Sequence, residues 1–349
     1  MQPSLPAGLQ RTIEKWVGRH RHLIPIRGGQ HSTYRVVGRR SAIVKVFPAD
    51  HVGFHVERRT LQLLAGRRGI PHLYASGKNA SFAFLLVSCI AGESIAHAFS
   101  TAGFPRARAL TNASEKLART HELLRGLSPR QQRSFPVDSL AEISTSVTSF
   151  MDAFSSAALN AERFLGARRL RDVLKVVHRH APLLVQVHEH RQVIHGDYQP
   201  RNVLADQEGR IRGVVDWEMA RQATPLCDIA MLLRYCDSVR AERDVLLAYA
   251  GLSLSANEAR LAARCYDLAK VTLGMSKAPA WTSDARTWIH YIDGCLDYVR
   301  RGSTARSRRA ARDLLLYQSE GQAQAQVEPR ARPQRALARA SALRSSPGA

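Results

Sequence analysis

The chain has 349 residues, 45% of them hydrophobic and 23% charged, a globular composition that excludes a wholly disordered protein. Its longest apolar run, residues 82–92, is far below the ~18 residues of a membrane span, and the first residues carry no basic head followed by an apolar core, so no leader is expected. Lys and Arg total 51 against 29 Asp and Glu, a net +22 that would suit a nucleic-acid-binding protein if it were spread evenly.

It is not spread evenly. The net charge is +11 over residues 1–90, +3 over 91–299 and +8 over 300–349. The last stretch, residues 318–349, is mostly Gln, Ala, Arg, Ser and Pro, too poor in large apolar groups to offset its ordering entropy, and is expected to be a disordered basic tail. Five cysteines, an odd number with no CxxC pair, fit a reducing cytoplasm rather than a disulfide framework.

In chain order, residues 13–21 have helical spacing, and Arg27-Gly28-Gly29-Gln30-His31-Ser32-Thr33 is a Gly-rich polar turn. Residues 34–37 and 42–47 are β-rich runs around the turn-like Gly38-Arg39-Arg40-Ser41 and predict a hairpin. A helix over 54–64 and an apolar strand over 81–90 complete a small mixed lobe. Helical patterns then dominate: 107–124, 140–154, 158–177 and 182–190. Two short β-runs, 202–205 and 211–215, predict a hairpin embedded among helices, which resume at 225–235 and continue to about 317. The expected division is 1–91, 92–317 and the tail 318–349.

The chemistry concentrates in Val193-Ile194-His195-Gly196-Asp197-Tyr198-Gln199-Pro200-Arg201-Asn202 and in Val215-Asp216-Trp217-Glu218. Phosphoryl transfer from a nucleotide needs a carboxylate to orient the acceptor hydroxyl and oxygen ligands for a metal on the phosphates. Asp197, Asn202 five residues on and Asp216 after the following hairpin supply those groups.

These motifs resemble those of the aminoglycoside phosphotransferase and choline kinase family, the small-molecule branch of the protein-kinase-like fold. Pro225-Leu226-Cys227-Asp228-Ile229-Ala230 and Leu117-Ala118-Arg119-Thr120-His121 extend the resemblance, which covers roughly residues 20–300 and is strongest over 193–230. It implies an α+β, bilobal, kinase-like fold with a β-rich N-lobe that clamps nucleotide and a helical C-lobe that holds the acceptor. It implies ATP and Mg²⁺ as cofactors, Asp197 as the catalytic carboxylate, and Asn202 and Asp216 as metal ligands. Lys45 resembles the lysine on the α/β-phosphates and Glu57 its ion-pair partner. Gly28, Gly29 and Ser32 resemble the nucleotide loop. Backbone groups of Ser88 and Ile90 would meet adenine at a hinge, although the family often has an acidic residue at Ser88.

Asp228 is expected to support the catalytic loop, Trp217 to pack in the core and His195 to hydrogen-bond at the loop rather than act as base. Glu218 is a candidate to face substrate. The pairs His178/His180 and His188/His190 tempt a metal reading, but i and i+2 point to different helix faces. The partner is a small-molecule hydroxyl acceptor, with no membrane and no nucleic acid, and the oligomeric state is left open. Because 91–299 carries no acidic surplus, with Asp284, Asp293 and Asp297 a local cluster, the acceptor is expected to be less cationic than an aminoglycoside: a nucleoside or macrolide antibiotic, an amino alcohol or a sugar. The alternatives are a protein kinase or ATP-binding pseudokinase, against which stand the absent Asp-Phe-Gly and the intact Lys45, Asp197, Asn202 and Asp216, and a nucleic-acid-binding protein using its basic ends.

Overall fold

The structure is a computed structural model that describes residues 7–17, 22–26, 31–37, 41–249, 254–277 and 285–301. The expected tail, the helical pattern beyond 301, Gly28, Gly29 and Asp284 lie outside the described residues.

The N-terminal portion is a five-stranded antiparallel sheet. Strands β1 (His22–Ile26), β2 (Ser32–Val37), β3 (Ala42–Pro48), β4 (Leu73–Lys78) and β5 (Phe82–Ser88) are arranged in the order β1-β2-β3-β5-β4. The predicted hairpin is the β2–β3 pair, with Thr33 opposite Lys45. β1 and β4 were not expected. Pro25 cannot donate to a ladder and is tolerated on the edge strand, and β4 (Leu-Tyr-Ala-Ser-Gly-Lys) lacks the β-branched run that marks a strand.

The period of two in β3 sorts its side chains. Ala42, Val44 and Val46 pack with Leu86 of β5 beneath α1 (Ala7–Val17), whose Leu9 and Ile13 seal that face. Ile43 and Phe47 turn to the opposite face with Leu85 and Val87 of β5, against Phe54 and Leu61 of α2 (Val52–Leu63). Lys45 shares this second face, which looks onto the rest of the molecule. The His51 ring caps α2 by accepting from Gly53 N at 3.1 Å.

Beyond β5 the chain is mainly helical, with segments at Arg106–Arg125, Val147–Ala158, Ala167–Arg179, Ala181–Glu189, Leu226–Leu233, Val239–Ala248, Ala256–Lys277 and Ala285–Arg301. Two predicted helices are interrupted. The first splits at residues 144–146, where Ser146 caps a new helix, and the other breaks at Gly166, whose φ of 73° is accessible to glycine. Ala256–Lys277 is buried on nearly all sides, as befits a central helix, and packs against Leu226–Leu233 and Ala285–Arg301. No helix among the described residues is long and apolar enough to cross a membrane.

Short strands carry the segment 192–223. β6 (Glu93–Ser94), β8 (Val203–Ala205) and β9 (Ile211–Val214) form one sheet, while β7 (Gln192–Ile194) pairs with β10 (Arg221–Ala223). The β8–β9 pair is the embedded hairpin. The architecture is bilobal and kinase-like, as expected.

Candidate active site

The segment 195–202 runs between β7 and β8, and 215–220 between β9 and β10, so the two strand pairs hold both motifs side by side. Val203 pairs with Val214, and Val215 N donates to Asn202 O at 2.9 Å. Asn202 and Asp216 therefore emerge at the same end of one hairpin.

The loop at 195–197 is fixed by Asp228, which is fully buried on Leu226–Leu233. Its Oδ2 accepts from His195 N and its Oδ1 from Gly196 N, both at 2.9 Å. His121 Nε2, also buried, donates to the same Oδ2 at 2.9 Å, and the Tyr249 hydroxyl lies 2.7 Å from the His121 Nδ1. Although burial works against its charge, hydrogen bonds and the positive potential of His121 hold the Asp228 carboxyl below the usual range. Gly196 has φ +81°, and a Cβ there would lie 2.0 Å from Met219 O, so glycine is required. Arg221 closes the far side by donating to Gly196 O at 2.7 Å and pairing with buried Asp138 at 3.0 Å, to which Lys270 also bonds.

His195 sits at the back of this loop. Its Nε2 lies 3.1 Å from Val215 O, its Nδ1 accepts from Asp197 N at 3.2 Å, and burial lowers its pKa. Both ring nitrogens are engaged, so the ring is a brace and not a base. Trp217 is fully buried and donates to Val214 O.

Asp197 is partly exposed and densely held. Gln199 Nε2 donates to its Oδ1 at 2.5 Å, while Asn202 Nδ2 at 2.8 Å and an Arg201 guanidinium nitrogen at 2.9 Å donate to its Oδ2. Gln199 is itself fixed by the Tyr235 hydroxyl at 2.9 Å. Because the Asn202 amide nitrogen faces Asp197, its Oδ1 is the atom left to ligate a cation.

Lys45 crosses from the small sheet to this site. Its Nζ lies 2.6 Å from Glu57 Oε2, 2.6 Å from Asp216 Oδ1 and 3.7 Å from Glu218 Oε2. The three carboxylates have oxygens within 4.8 Å of one another, the grouping of metal-capable side chains found among the described residues. Burial works against the ammonium, but the carboxylates outweigh it and raise the Lys45 pKa. Burial, with the neighbouring Asp216, pushes Glu218 up to about 7. Asp216 is held below the usual range by Lys45, His195 and Arg201 against its burial. It is also the one non-glycine residue with positive φ among the described residues, at 69°, local strain of the kind that concentrates at functional sites.

The remaining predicted residues fall around this centre. Ser32 begins β2 and is exposed, while Gly28 and Gly29 are outside the described residues. Ser88 ends β5; its N–H already donates to His72 O at 2.8 Å, so adenine could reach Ser88 only through its carbonyl. Ile90 packs over Gly213, whose absent side chain leaves room for it. His178 bonds Ser155 and His188 bonds Leu184 O, so the histidine pairs converge on nothing shared. Sequence reasoning missed His31, 3.2 Å from Glu218, and the roles of Gln199, Arg201, Arg221 and Asp138. Only Arg201 carried a local signal, its i+4 spacing from Asp197.

Comparison with known proteins supplies the last observations. A family model described as the phosphotransferase enzyme family matches residues 22–264. Among solved structures, the chain is similar to the aminoglycoside phosphotransferase APH(3'')-Id from Streptomyces rimosus, in complex with ADP and streptomycin. Identity is 20% with a TM-score of 0.51, over 79% of this chain and 100% of that one. An aminoglycoside phosphotransferase from Alicyclobacillus acidocaldarius aligns at 14% identity and a TM-score of 0.54, covering 91% and 98%. A macrolide 2'-phosphotransferase from Brachybacterium faecium aligns at 15% and 0.50, covering 81% and 98%. No curated protein matches the chain.

Proposed function

The chain belongs to the phosphotransferase enzyme family, and from that premise we propose that it moves the γ-phosphoryl group of ATP to a hydroxyl of a small molecule, with Asp197 as the catalytic carboxylate. The observation that carries this reading is the convergence of Asp197, Asn202 and Asp216 with Lys45, which comes from the small sheet more than 150 residues earlier in the chain.

Lys45, held by Glu57, is placed to meet the phosphates from the sheet side. Asp197 orients the acceptor hydroxyl and accepts its proton as the bond to phosphorus forms. The oxygen donors Asn202 Oδ1 and the Asp216 carboxylate would hold a hard divalent cation such as Mg²⁺, which would supply neutralisation of the charge developing on the phosphoryl group. Asp216 is now paired with Lys45, so metal binding would exchange that partner. Ser32 reaches the phosphates, and the Ser88 carbonyl and Ile90 N–H meet the base. The catalytic loop stays rigid because Asp228, His121 and Arg221 hold its backbone.

The acceptor is less cationic than an aminoglycoside. Asp293, a candidate for binding amines, is clamped by Arg169 at 2.7 and 3.1 Å. Arg201, beside Asp197, places positive charge where the acceptor must approach.

The test is mass-spectrometric detection of a phosphoryl gain on a mixed panel of aminoglycosides, macrolides, nucleoside antibiotics, amino alcohols and sugars with Mg·ATP. Wild type would be run beside Asp197→Asn. Gain on a neutral or weakly basic compound, lost in the variant, is expected. Efficient phosphorylation of kanamycin-like substrates would overturn the acceptor class, and failure of the wild type to bind Mg·ATP would overturn the whole reading.

A further inference from the structure

Arg201 lies one residue before a proposed metal ligand and four after the catalytic carboxylate, in a short 3₁₀ turn, Pro200–Asn202. Pro200 is buried and Asn202 is bonded to Asp197 through both side chain and backbone, so the backbone that carries Arg201 is fixed. Its side chain is 37% exposed. One guanidinium nitrogen donates to Asp197 Oδ2, and no other hydrogen bond to the group is formed among the described residues. Its charge also reaches Asp216. The guanidinium is therefore held against the carboxylate that takes the acceptor's proton, one residue from Asn202, which is hydrogen-bonded to the residue before Asp216.

The other cations nearby are engaged. Lys45 sits among three carboxylates, and Arg221 holds Gly196 O and Asp138. Gln199, nearer to Asp197 in sequence, is neutral and bonded to Tyr235. Asp197, meanwhile, is oversupplied with donors for a group that must accept another proton. One movement answers both points: a turn of the guanidinium toward the phosphoryl oxygens would give Arg201 an anion and return a lone pair to Asp197.

We propose that Arg201 is a catalytic residue that leaves Asp197 to bind the transferring phosphoryl group, acting as an arginine finger supplied by the catalytic loop itself. This rests on the phosphotransferase reading above. In the step, the bond from the γ-phosphorus to the bridging oxygen of ADP breaks and a bond to the acceptor oxygen forms. The acceptor's hydroxyl proton passes to the freed Asp197 oxygen. With no acceptor present, water takes its place and the product is inorganic phosphate. A planar, permanently charged fork can hold two phosphoryl oxygens at once, which lysine cannot.

The experiment needs no knowledge of the acceptor. The full chain and its Arg201→Ala and Arg201→Lys variants, each also in an Asp197→Asn background, are measured for Mg·ADP affinity, for Mg·ADP affinity with fluoroaluminate, and for slow Mg·ATP hydrolysis. Mg·ADP affinity is expected to change less than about threefold, which also reports an intact fold, while hydrolysis falls by about 10³-fold, the scale of arginine fingers. The tightening by fluoroaluminate should vanish in Arg201→Ala, return in part in Arg201→Lys, and show the same dependence when Asp197 is Asn. If fluoroaluminate binds Arg201→Ala as tightly as wild type, the proposal fails. If the effect disappears in the Asp197→Asn background, Arg201 is a positioning residue for Asp197, and the proposal fails likewise. Wild type that binds no Mg·ADP would remove the phosphotransferase reading and this inference together, whereas the other two results remove the inference alone.

Discussion

Asp228→Asn is the sharpest perturbation of the loop that carries Asp197. The side chain is fully buried and receives three donors, from His195 N, Gly196 N and His121 Nε2, each at 2.9 Å. Asparagine has almost the same shape, so no cavity is made. It replaces one carboxylate oxygen with an NH₂ group, however, and at least one donor is left facing another donor. Losing one charge-assisted bond and stranding one buried donor costs about 3–5 kcal/mol. At about 2 °C per kcal/mol for a chain of this size, the melting midpoint should fall by about 6–10 °C. The backbone of 195–196 is then free to move, so phosphoryl transfer should fall more than Mg·ADP affinity if, as proposed, the nucleotide contacts lie on Lys45 and residues 88–90. Thermal melts followed by near-ultraviolet circular dichroism, with nucleotide titrations alongside, read both effects. A midpoint within 1 °C of wild type, or equal losses of transfer and ADP affinity, would refute the assignment of Asp228 as the support of the loop.

Gly196→Ala should cost about 3–5 kcal/mol, from the left-handed backbone and a Cβ forced against Met219 O; chemical denaturation with an unchanged midpoint would contradict it. Lys45→Met removes the ammonium from Glu57, Asp216 and Glu218 and should destabilise by about 3 kcal/mol; adding Glu57→Gln should restore part of this, and strict additivity in a double-mutant comparison would count against their pairing. Glu218 binds its proton more tightly in the folded protein, near 7, than at its ordinary 4.5, so the stability it contributes is complete below pH 4.5 and is lost as pH rises through 7. Glu218→Gln should therefore match wild type at pH 4 and exceed it by on the order of 2 kcal/mol at pH 8 without nucleotide; a difference in melting midpoint that does not vary with pH would refute this.

Much of the fold was legible because its signals are local. The β2–β3 hairpin alternates in sequence as it does in space, and the helices Arg106–Arg125 and Ala181–Glu189 follow apolar periodicity. What escaped were elements that exist only through their neighbours. β10 has three residues and is stabilised by pairing with β7, whose Val193-Ile194 pair is strand-like in sequence, across 25 or more intervening positions. β1 contains a proline that only its edge position permits. Where a helix was drawn too long, the break came from Gly166 and from a serine cap that periodicity does not report.

The same division runs through the site. The nearness of Asp197 and Asn202 was legible because it depends on a five-residue spacing within one loop, and the face of Lys45 because alternation on β3 sets it. Arg221 could not be read, since nothing in its neighbours tells that it would bridge Gly196 O to an Asp138 some eighty positions earlier. The chain's net charge says little about the site for a related reason. On the helical side, Arg169 is committed to Asp293, Arg234 to Asp267, Arg264 to Glu242, Arg300 to Asp172, and both Arg221 and Lys270 to Asp138. Such pairs cancel in any total, yet they withdraw the acidic groups that a polycationic acceptor would require. Under the acceptor class proposed above, that withdrawal is what disfavours a polycation, while Arg201, once turned to the phosphoryl group, leaves Asp197 open to the acceptor hydroxyl.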